Sequence, residues 1–369
     1  MGKKLNVSTW VFLAVVLICS VFIFFPAEDT DNSENRVKAP LPATFSAKFP
    51  VEFDAYYQDH FPFRSFLIRK FYTIRKSIKD NPKVIMGDQD WIFLNSAPFD
   101  TYAKVDNTVG DFTGKSLLNA EELAALRDSL AAQKKYFADR GASFLIMLPP
   151  NKMTVYGEYA PKAYRKLRAP KSQYEQTEEA AAEAGIPFIN LKKVFYGAKG
   201  ENLLYYKTDT HWNNYGAYLA TAKLAEALGG TVPPVESILS DRVPCGDNFR
   251  MSGAAGECID IHFEPLVSFS APAVKCTQGI NEGHLICAND AAPIKKRVVI
   301  ARDSFTEKML PYISRLFQRA ILLWSGKVSD EEMFDIIEKE KPDYVIYNYA
   351  ERNASKLNKE LPAAEGSIK

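Results

Sequence analysis

The stretch KKRVVIARDSFTEKMLPYISRLF, residues 295–317, predicts a buried strand, a sharp turn and a helix. The apolar run RVVIA is followed directly by Asp303 and Ser304, which begin the turn. In an open α/β sheet, functional groups lie beyond the carboxyl ends of the strands. Ser304 is therefore predicted to stand at the edge of a sheet, where the amides of the new helix face an anionic oxygen. A helix-capping serine fits the same position, so the local pattern leaves a nucleophile and an N-cap open.

Apolar strands alternate with helical segments on both sides of this stretch. A helix-forming segment from Asn119 leads into the apolar run SFLIM at residues 143–147, and a further helix, glycine and strand follow. Beyond Ser304, the runs AILLW (320–324) and DYVIYNY (343–349) enclose one more helix. Alternation of this kind is typical of an α/β fold with a mostly parallel sheet and helices on both faces.

A second polar stretch, KTDTHW at residues 207–212, precedes another predicted helix. Residues two apart in an extended segment point to the same side, so the Asp209 carboxylate can orient the His211 ring. The other ring nitrogen would then take a proton from Ser304, as in a Ser–His–Asp triad. A structural histidine, hydrogen-bonded in a loop, is the alternative role for His211.

The N-terminal region contains VSTWVFLAVVLICSVFIFF, residues 7–25, which carries no charge and is long enough to span a bilayer. Two lysines precede this run and acidic residues follow it, so we expect a cytoplasmic N-terminus and a periplasmic or extracellular main domain. No small-residue cleavage pattern follows the run, which favours a single-pass anchor in the cell membrane over a removed signal peptide.

We therefore expect a chain of three parts. They are a cytoplasmic tip and transmembrane anchor (1–26), a stalk with amphipathic helices (27–80) and the α/β domain (81–369), which carries a cysteine-containing insertion at about 235–295. The length of 369 residues and the 47% hydrophobic content suit one large core. A net charge of +1 and the lack of a clustered basic face argue against nucleic acid as a partner.

Four cysteines lie in the insertion: Cys245, Cys258, Cys276 and Cys287. An even number of cysteines in an exported segment predicts two disulfides. Three pairings are possible, and we expect the sequential one, Cys245 with Cys258 and Cys276 with Cys287, because each bond then closes a short loop.

A metal site is the alternative for the cysteines, but paired C-x-x-C-type spacing is absent. His262 and His284 lie in the same insertion, and no ligand spacing links them to Asp209 and His211. We therefore expect neither a metal nor another cofactor.

The motifs DTHW (209–212), followed by YGAY, and RDSF (302–305) resemble those of the alginate O-acetyltransferase group of SGNH-hydrolase-like proteins, and of the related DHHW envelope proteins. The resemblance extends over roughly residues 51–355, through the blocks QDHFPFR, GDQDWIFL, LPPNKMTVYGEYAP and PDYVIYNYAER. As in the alginate group, the Asp–His block precedes the serine block. The resemblance implies Ser304 as nucleophile, His211 as base and Asp209 as the orienting acid.

The function that the resemblance implies is an extracytoplasmic O-acetyltransferase acting on an exported cell-envelope polysaccharide through an acyl-serine. The alternatives are a polysaccharide acetyl esterase and a non-catalytic glycan-binding or assembly protein with the same fold. The complete set of Asp209, His211 and Ser304 favours an enzyme. The expected partners are a polysaccharide acceptor and a multispanning membrane O-acyltransferase that supplies acetyl groups, which a single-span chain cannot carry across the bilayer.

Five further residues are candidates for substrate binding. Trp212 and Tyr215 offer aromatic surfaces to an acceptor groove, although Trp212 also suits packing beside the histidine. Asn151 and Lys152 follow a predicted strand and suit an oxyanion donor, a glycan contact or a solvated loop. Arg302 replaces the glycine usual in SGNH enzymes, so the resemblance does not assign the residues of the oxyanion hole. Its guanidinium suits an anion contact or a structural ion pair.

Overall fold

A computed structural model describes residues 39–46, 48–60, 82–97, 103–200, 202–254 and 256–362, together with residues 10, 17 and 70. The chain divides into two units, residues 1–81 with 250–256 and residues 82–249 with 257–369. The membrane helix predicted at 7–25 lies outside the described residues, apart from positions 10 and 17. Among the described residues, no helix has both the length and the apolar character needed to cross a membrane.

The first unit contains helix α1 (Phe49–His60), which lies in the segment 27–80 where amphipathic helices were predicted. The amide of Ala39 donates a hydrogen bond to the Asp59 carboxylate over 2.8 Å, which ties the preceding segment to the helix. The rest of that segment, residues 61–80, lies outside the described part apart from residue 70.

The strands of the second unit are β1 (Val84–Met86), β2 (Ile92–Leu94), β3 (Ser143–Met147), β4 (Phe188–Ile189), β5 (Ser237–Pro244), β6 (Ile259–Leu266), β7 (Thr277–Gln278), β8 (His284–Ala288), β9 (Ile294–Arg302), β10 (Phe317–Trp324) and β11 (Tyr344–Asn348). Seven of these described strands form one sheet in the order β4-β3-β11-β9-β10-β8-β7. The five from β4 to β10 in this order are parallel. Strand β8 pairs antiparallel with β10, and β7 pairs antiparallel with β8. The predicted mostly parallel sheet is therefore a mixed one, because the β7–β8 hairpin joins it through the antiparallel pairing of β8 with β10.

The α-helices of the second unit are α2 (Thr108–Thr113), α3 (Ala120–Ala138), α4 (Lys152–Val155), α5 (Lys162–Arg165), α6 (Gln173–Glu183), α7 (Leu191–Ala198), α8 (Asn214–Ala227), α9 (Asp247–Met251, whose last two residues belong to the first unit), α10 (Leu310–Leu316) and α11 (Asp330–Glu340). Short 3₁₀-helices cover Gly157–Tyr159, Ser304–Met309 and Glu351–Leu357. Capping boxes begin α3, α6 and α11, where a polar side chain and a glutamate three residues later satisfy two free amides.

The central sheet is buried on both faces, as β9 shows. Val298 and Ile300 belong to an apolar cluster that also holds Leu224 of α8. The alternate residue Val299 belongs to a second cluster, which holds Leu130 of α3. Successive side chains of a strand point to opposite faces, so this division places helices on both sides of the sheet. Burial of each aliphatic side chain contributes about 1.5–3 kcal/mol.

The segment predicted as an insertion, residues 235–295, contributes directly to this unit. Its first half forms the antiparallel hairpin of β5 and β6, and its second half forms β7 and β8 at one end of the central sheet. The structure joins Cys245 to Cys258 and Cys276 to Cys287 by disulfides, so the predicted sequential pairing is confirmed.

We expect the double substitution Cys276→Ser with Cys287→Ser to lower the free energy of unfolding by about 2–4 kcal/mol, because it opens a short covalent loop. Cys287 is also fully buried in the apolar cluster of the sheet, where a hydroxyl is poorly solvated. Urea unfolding of the variant and the unchanged protein, followed by circular dichroism, measures the difference. Mass analysis that finds four free thiols in the exported protein would contradict both disulfides.

Candidate active site

Three loops meet at the carboxyl edge of the parallel strands. Asn151 follows β3, Asp303 and Ser304 follow β9, and Glu351 follows β11. Two of these loops are linked across the edge, because the backbone amide of Asn151 donates to the Glu351 carboxylate over 2.8 Å. Because α/β sheets form their sites at this edge, this is where the candidate residues must be sought.

The turn that carries Ser304 is held by the carboxylate of the residue before it. Asp303 Oδ1 accepts from the amide of Phe305 at 3.1 Å, and Oδ2 accepts from the amide of Ala350 at 2.7 Å and from Asn353 Nδ2 at 3.2 Å. Asp303 is therefore the helix cap, the role that the sequence left open for Ser304. The Ser304 hydroxyl remains available for another partner.

That partner is His211. Ser304 Oγ lies 2.8 Å from His211 Nε2, and His211 Nδ1 lies 2.8 Å from Asp209 Oδ1. Asp209 Oδ1 also accepts from the His211 amide at 2.9 Å, which fixes the carboxylate against its own loop. The structure thus brings together the three residues that the sequence selected from two distant motifs. With Nδ1–H donating to Asp209, Nε2 is free to accept the serine proton.

The charges around the ring prepare it to accept a proton. Burial lowers the pKa of His211, but the hydrogen bond and charge of Asp209, together with Asp247, raise it above its ordinary value. Burial raises the pKa of Asp209, but its bonds to His211 and to the Asp247 amide bring it well below its usual range. Asp209 is therefore ionised at neutral pH and stabilises the protonated ring.

Lys152 contacts the backbone of the Asp209 loop from the interior of the protein and is not exposed to solvent. Its side chain is buried, and Nζ donates to three backbone carbonyls, those of Tyr206 (3.1 Å), Lys207 (2.8 Å) and Asp209 (2.6 Å). Burial lowers the pKa of Lys152 to about 8, although three nearby aspartates oppose that shift. Lys152 thus fixes the course of the Asp209 loop, and its contacts do not favour the predicted glycan contact.

The other predicted substrate-binding residues fall into two groups. Trp212 is fully buried and donates from Nε1 to the Phe305 carbonyl at 2.9 Å. Asn151 Nδ2 donates to the buried carboxyl group of Asp111. The buried Arg302 guanidinium lies 4.9 Å from the centroid of the Trp324 ring. Burial favours the packing role of Trp212 and a structural role for Arg302. Asn151 and Lys152 are buried, so the solvated loop that was their alternative is wrong. Tyr215 is only partly buried and remains a candidate for the acceptor surface.

Sequence analysis missed Gly246 and Asp247. The Asp247 amide donates to Asp209 Oδ2 at 3.1 Å, and a Cβ at Gly246 would overlap the Asp209 carboxylate. Asp247 Oδ2 also lies 3.9 Å from His211 Nδ1. Among the described residues, Asp209, His211 and Asp247 form the one group spaced closely enough for a cation, but ligation would require breaking the Nδ1–Oδ1 hydrogen bond. In the sequence, this loop was marked only by Cys245, which lies two residues before Asp247 and was predicted to form a disulfide.

Comparisons with known proteins confirm the predicted resemblance. Residues 84–243 match a family model described as "SGNH hydrolase-like domain, acetyltransferase AlgX". A "Probable alginate O-acetylase AlgJ" of Pseudomonas syringae pv. tomato is 21% identical over 224 residues, which cover 60% of this chain and 53% of that protein. The protein of the same name from Pseudomonas putida is 25% identical over 195 residues, 46% of either chain. The chain spans about half the length of these curated relatives.

The fold is also found in a solved structure. PatB1 of Bacillus cereus superposes with a TM-score of 0.53 at 15% identity, covering 75% of this chain and 98% of PatB1. With the family match, this likeness establishes an SGNH-hydrolase-like α/β fold with a mixed central sheet.

We expect Asp209→Asn to slow the reaction of Ser304 with a serine-directed sulfonyl fluoride by about 10²- to 10⁴-fold, compared at the high pH where the labelling rate no longer changes. Below the pKa of His211, Nε2 is protonated and cannot accept the serine proton, so labelling falls as the pH falls. Asp209 raises the pKa of His211, so its removal should move this fall to lower pH. Intact-mass measurement of adduct formation across pH tests both effects. A profile and plateau equal to those of the unchanged protein would exclude Asp209 as the orienting acid.

Proposed function

We propose that this chain is a membrane-anchored, extracytoplasmic O-acetyltransferase that acts on an exported cell-envelope polysaccharide. The observation that carries the proposal is the continuous hydrogen-bonded path from Ser304 Oγ through the His211 ring to Asp209 Oδ1. The match to an acetyltransferase family model and the relatives named as probable alginate O-acetylases support acyl transfer. The uncharged run at residues 7–25 supports the anchor.

The first step forms an acyl-enzyme. Ser304 Oγ attacks the carbonyl carbon of an acetyl ester, and its proton passes to His211 Nε2. The ester C–O bond then breaks, and the leaving alcohol takes that proton from His211. Throughout this step the ionised Asp209 stabilises the imidazolium through Nδ1–H.

The negative oxygen that forms at the carbonyl needs a hydrogen-bond donor. The amide of Phe305 already donates to Asp303, so it is not the first choice. The amide of Ser304 makes no hydrogen bond within the described part of the chain, and it begins the helical turn beside the nucleophile. We assign it as an oxyanion donor, a type of group whose removal typically costs about 10²- to 10³-fold in rate.

The second step decides between transfer and hydrolysis. A sugar hydroxyl gives its proton to His211 and attacks the acetyl carbon, and Ser304 Oγ leaves and recovers that proton from His211. Water in the same position would release acetate instead. Transfer therefore requires an acceptor surface that places a sugar hydroxyl at Nε2 and keeps water out, and Tyr215 is a candidate for that surface. A multispanning membrane O-acyltransferase is the proposed source of acetyl groups.

We expect Ser304→Ala to abolish both acetate release and glycan acetylation, with a loss of about 10³-fold or more, while the protein still folds. The acylation assay uses purified protein, 4-nitrophenyl acetate and oligosaccharides from its own envelope, with mass spectrometry of the glycan. Ser325→Ala is the matched control, because Ser325 follows the neighbouring strand β10 and should leave both activities unchanged.

Two results would replace the proposal. Acetate release without acetylation of any envelope glycan would favour an esterase. Unchanged glycan acetylation in cells that carry Ser304→Ala would remove both enzymatic interpretations and favour a glycan-binding protein.

A further inference from the structure

The loop of the acid and the histidine is interlocked with the loop that follows Cys245. The Thr210 amide donates to Asp247 Oδ1 at 2.6 Å, and the Asp247 amide donates to Asp209 Oδ2 at 3.1 Å. The Gly246 amide donates to Thr208 Oγ1 at 3.1 Å. Each loop therefore satisfies polar groups of the other, and the position of Asp209 depends on residues about 40 positions further along the chain.

Asp247 has one carboxylate oxygen in these bonds and one that faces the histidine. Oδ1 is used by the Thr210 amide, whereas Oδ2 lies 3.9 Å from His211 Nδ1. The Asp247 side chain is 26% exposed and that of His211 is 25% exposed, so water screens this pair only in part. Two carboxylates thus approach the same ring nitrogen, Asp209 by a hydrogen bond and Asp247 through space.

A covalent bond fixes the loop that presents Asp247. Cys245 is linked to Cys258, and its amide also donates to the Cys258 carbonyl at 3.1 Å. Two residues beyond Cys258, Asp260 accepts from the amide of Thr208 at 2.7 Å. The hairpin of β5 and β6 therefore holds both the Asp247 loop and the start of the acid–histidine loop.

We infer that Asp247 is a second positioning carboxylate of this site, which holds Asp209 through its amide and stabilises the protonated His211 ring through its charge. Asp247 acts through His211 and Asp209 and touches no reacting atom. The inference concerns the same site as the proposed function, and it rests on that function only for its kinetic measurement.

The charged groups around His211 set the conditions of the test. Asp209 and Asp247 favour the protonated ring, and Arg352, from the helix after β11, opposes it. Lys152 acts on the two carboxylates from beneath their loop. The Phe305 ring, whose centroid lies 5.0 Å from that of the imidazole, is an apolar neighbour.

The first measurement is the titration of His211 itself, which requires no catalytic activity. In protein labelled with ¹⁵N-histidine, His211→Gln identifies the His211 resonances among those of four histidines. Asp247→Asn keeps an oxygen for the Thr210 amide and keeps the amide to Asp209, but removes the charge. We expect its His211 midpoint to move to lower pH, and that of Asp209→Asn to move further. Asp241→Asn, an exposed carboxylate on β5, should leave the midpoint unchanged.

The second measurement is the turnover of 4-nitrophenyl acetate by Asp247→Asn. We expect kcat to fall by about three- to fivefold, the size expected for a partly exposed charge pair, with its acid limb at lower pH and an unchanged KM. If Asp247→Asn does not fold, Asp247→Ser removes the same charge and keeps the backbone bond to Asp209.

The outcomes separate the two proposals. A His211 midpoint in Asp247→Asn equal to that of the unchanged protein, while Asp209→Asn shifts it, would overturn the role of Asp247. A shifted midpoint in a protein without Ser304-dependent turnover would support Asp247 as a positioning residue and remove the proposed function.

Discussion

The position of the candidate nucleophile depends on the buried carboxylate of Asp303. Its two oxygens accept three hydrogen bonds, one from the helix that follows Ser304 and two from the segment after β11. Hydrogen bonds from neutral donors to a carboxylate are stronger than those between neutral groups. A carboxylate in this place therefore joins the ends of two adjacent parallel strands, and the serine between them has little freedom to turn away from His211.

The loop that carries Asp209 and His211 is held in place by a different set of hydrogen bonds. Their loop contains no regular helix or strand at Asp209, so its carbonyls and amides need partners from elsewhere. Lys152 supplies three donors from beneath, and the loop after Cys245 supplies acceptors and donors from the side. The serine side of the site thus relies on the ends of the sheet, whereas the acid side relies on a buried ammonium and a disulfide-bonded hairpin.

Sequence patterns predicted those helices and strands whose formation depends on residues that are close together in the chain. The pattern of residues 295–317 and the alternation of helical and apolar segments from Asn119 onward were sufficient to predict strands and helices. The two-residue spacing of Asp209 and His211 was sufficient to select that pair. The antiparallel edge was not predictable in the same way, because β7 has only two residues and the direction of β8 depends on its pairing with β10.

The roles of single polar residues were harder to predict than the elements. Lys152 and Asn151 follow a strand at the active edge, where a functional contact and a structural one give the same sequence. Their burial and their partners distinguish the two, and both depend on distant segments. Asp247 lies 38 residues from Asp209, and no spacing rule connects a carboxylate in a loop with a histidine at that separation.

The order of the strands has a consequence for how the centre is assembled during synthesis. The last of the described strands, β11, lies inside the sheet between β3 and β9. Before it is inserted, β3 with β4 and β9 with β10 can pair only as separate halves, and Asp303 lacks the amide of Ala350. Asp303 then also lacks the hydrogen bond from Asn353, so two of the three contacts that fix it beside Ser304 are missing. The turn that presents Ser304 to His211 is therefore complete only when this strand and the segment after it have joined the sheet.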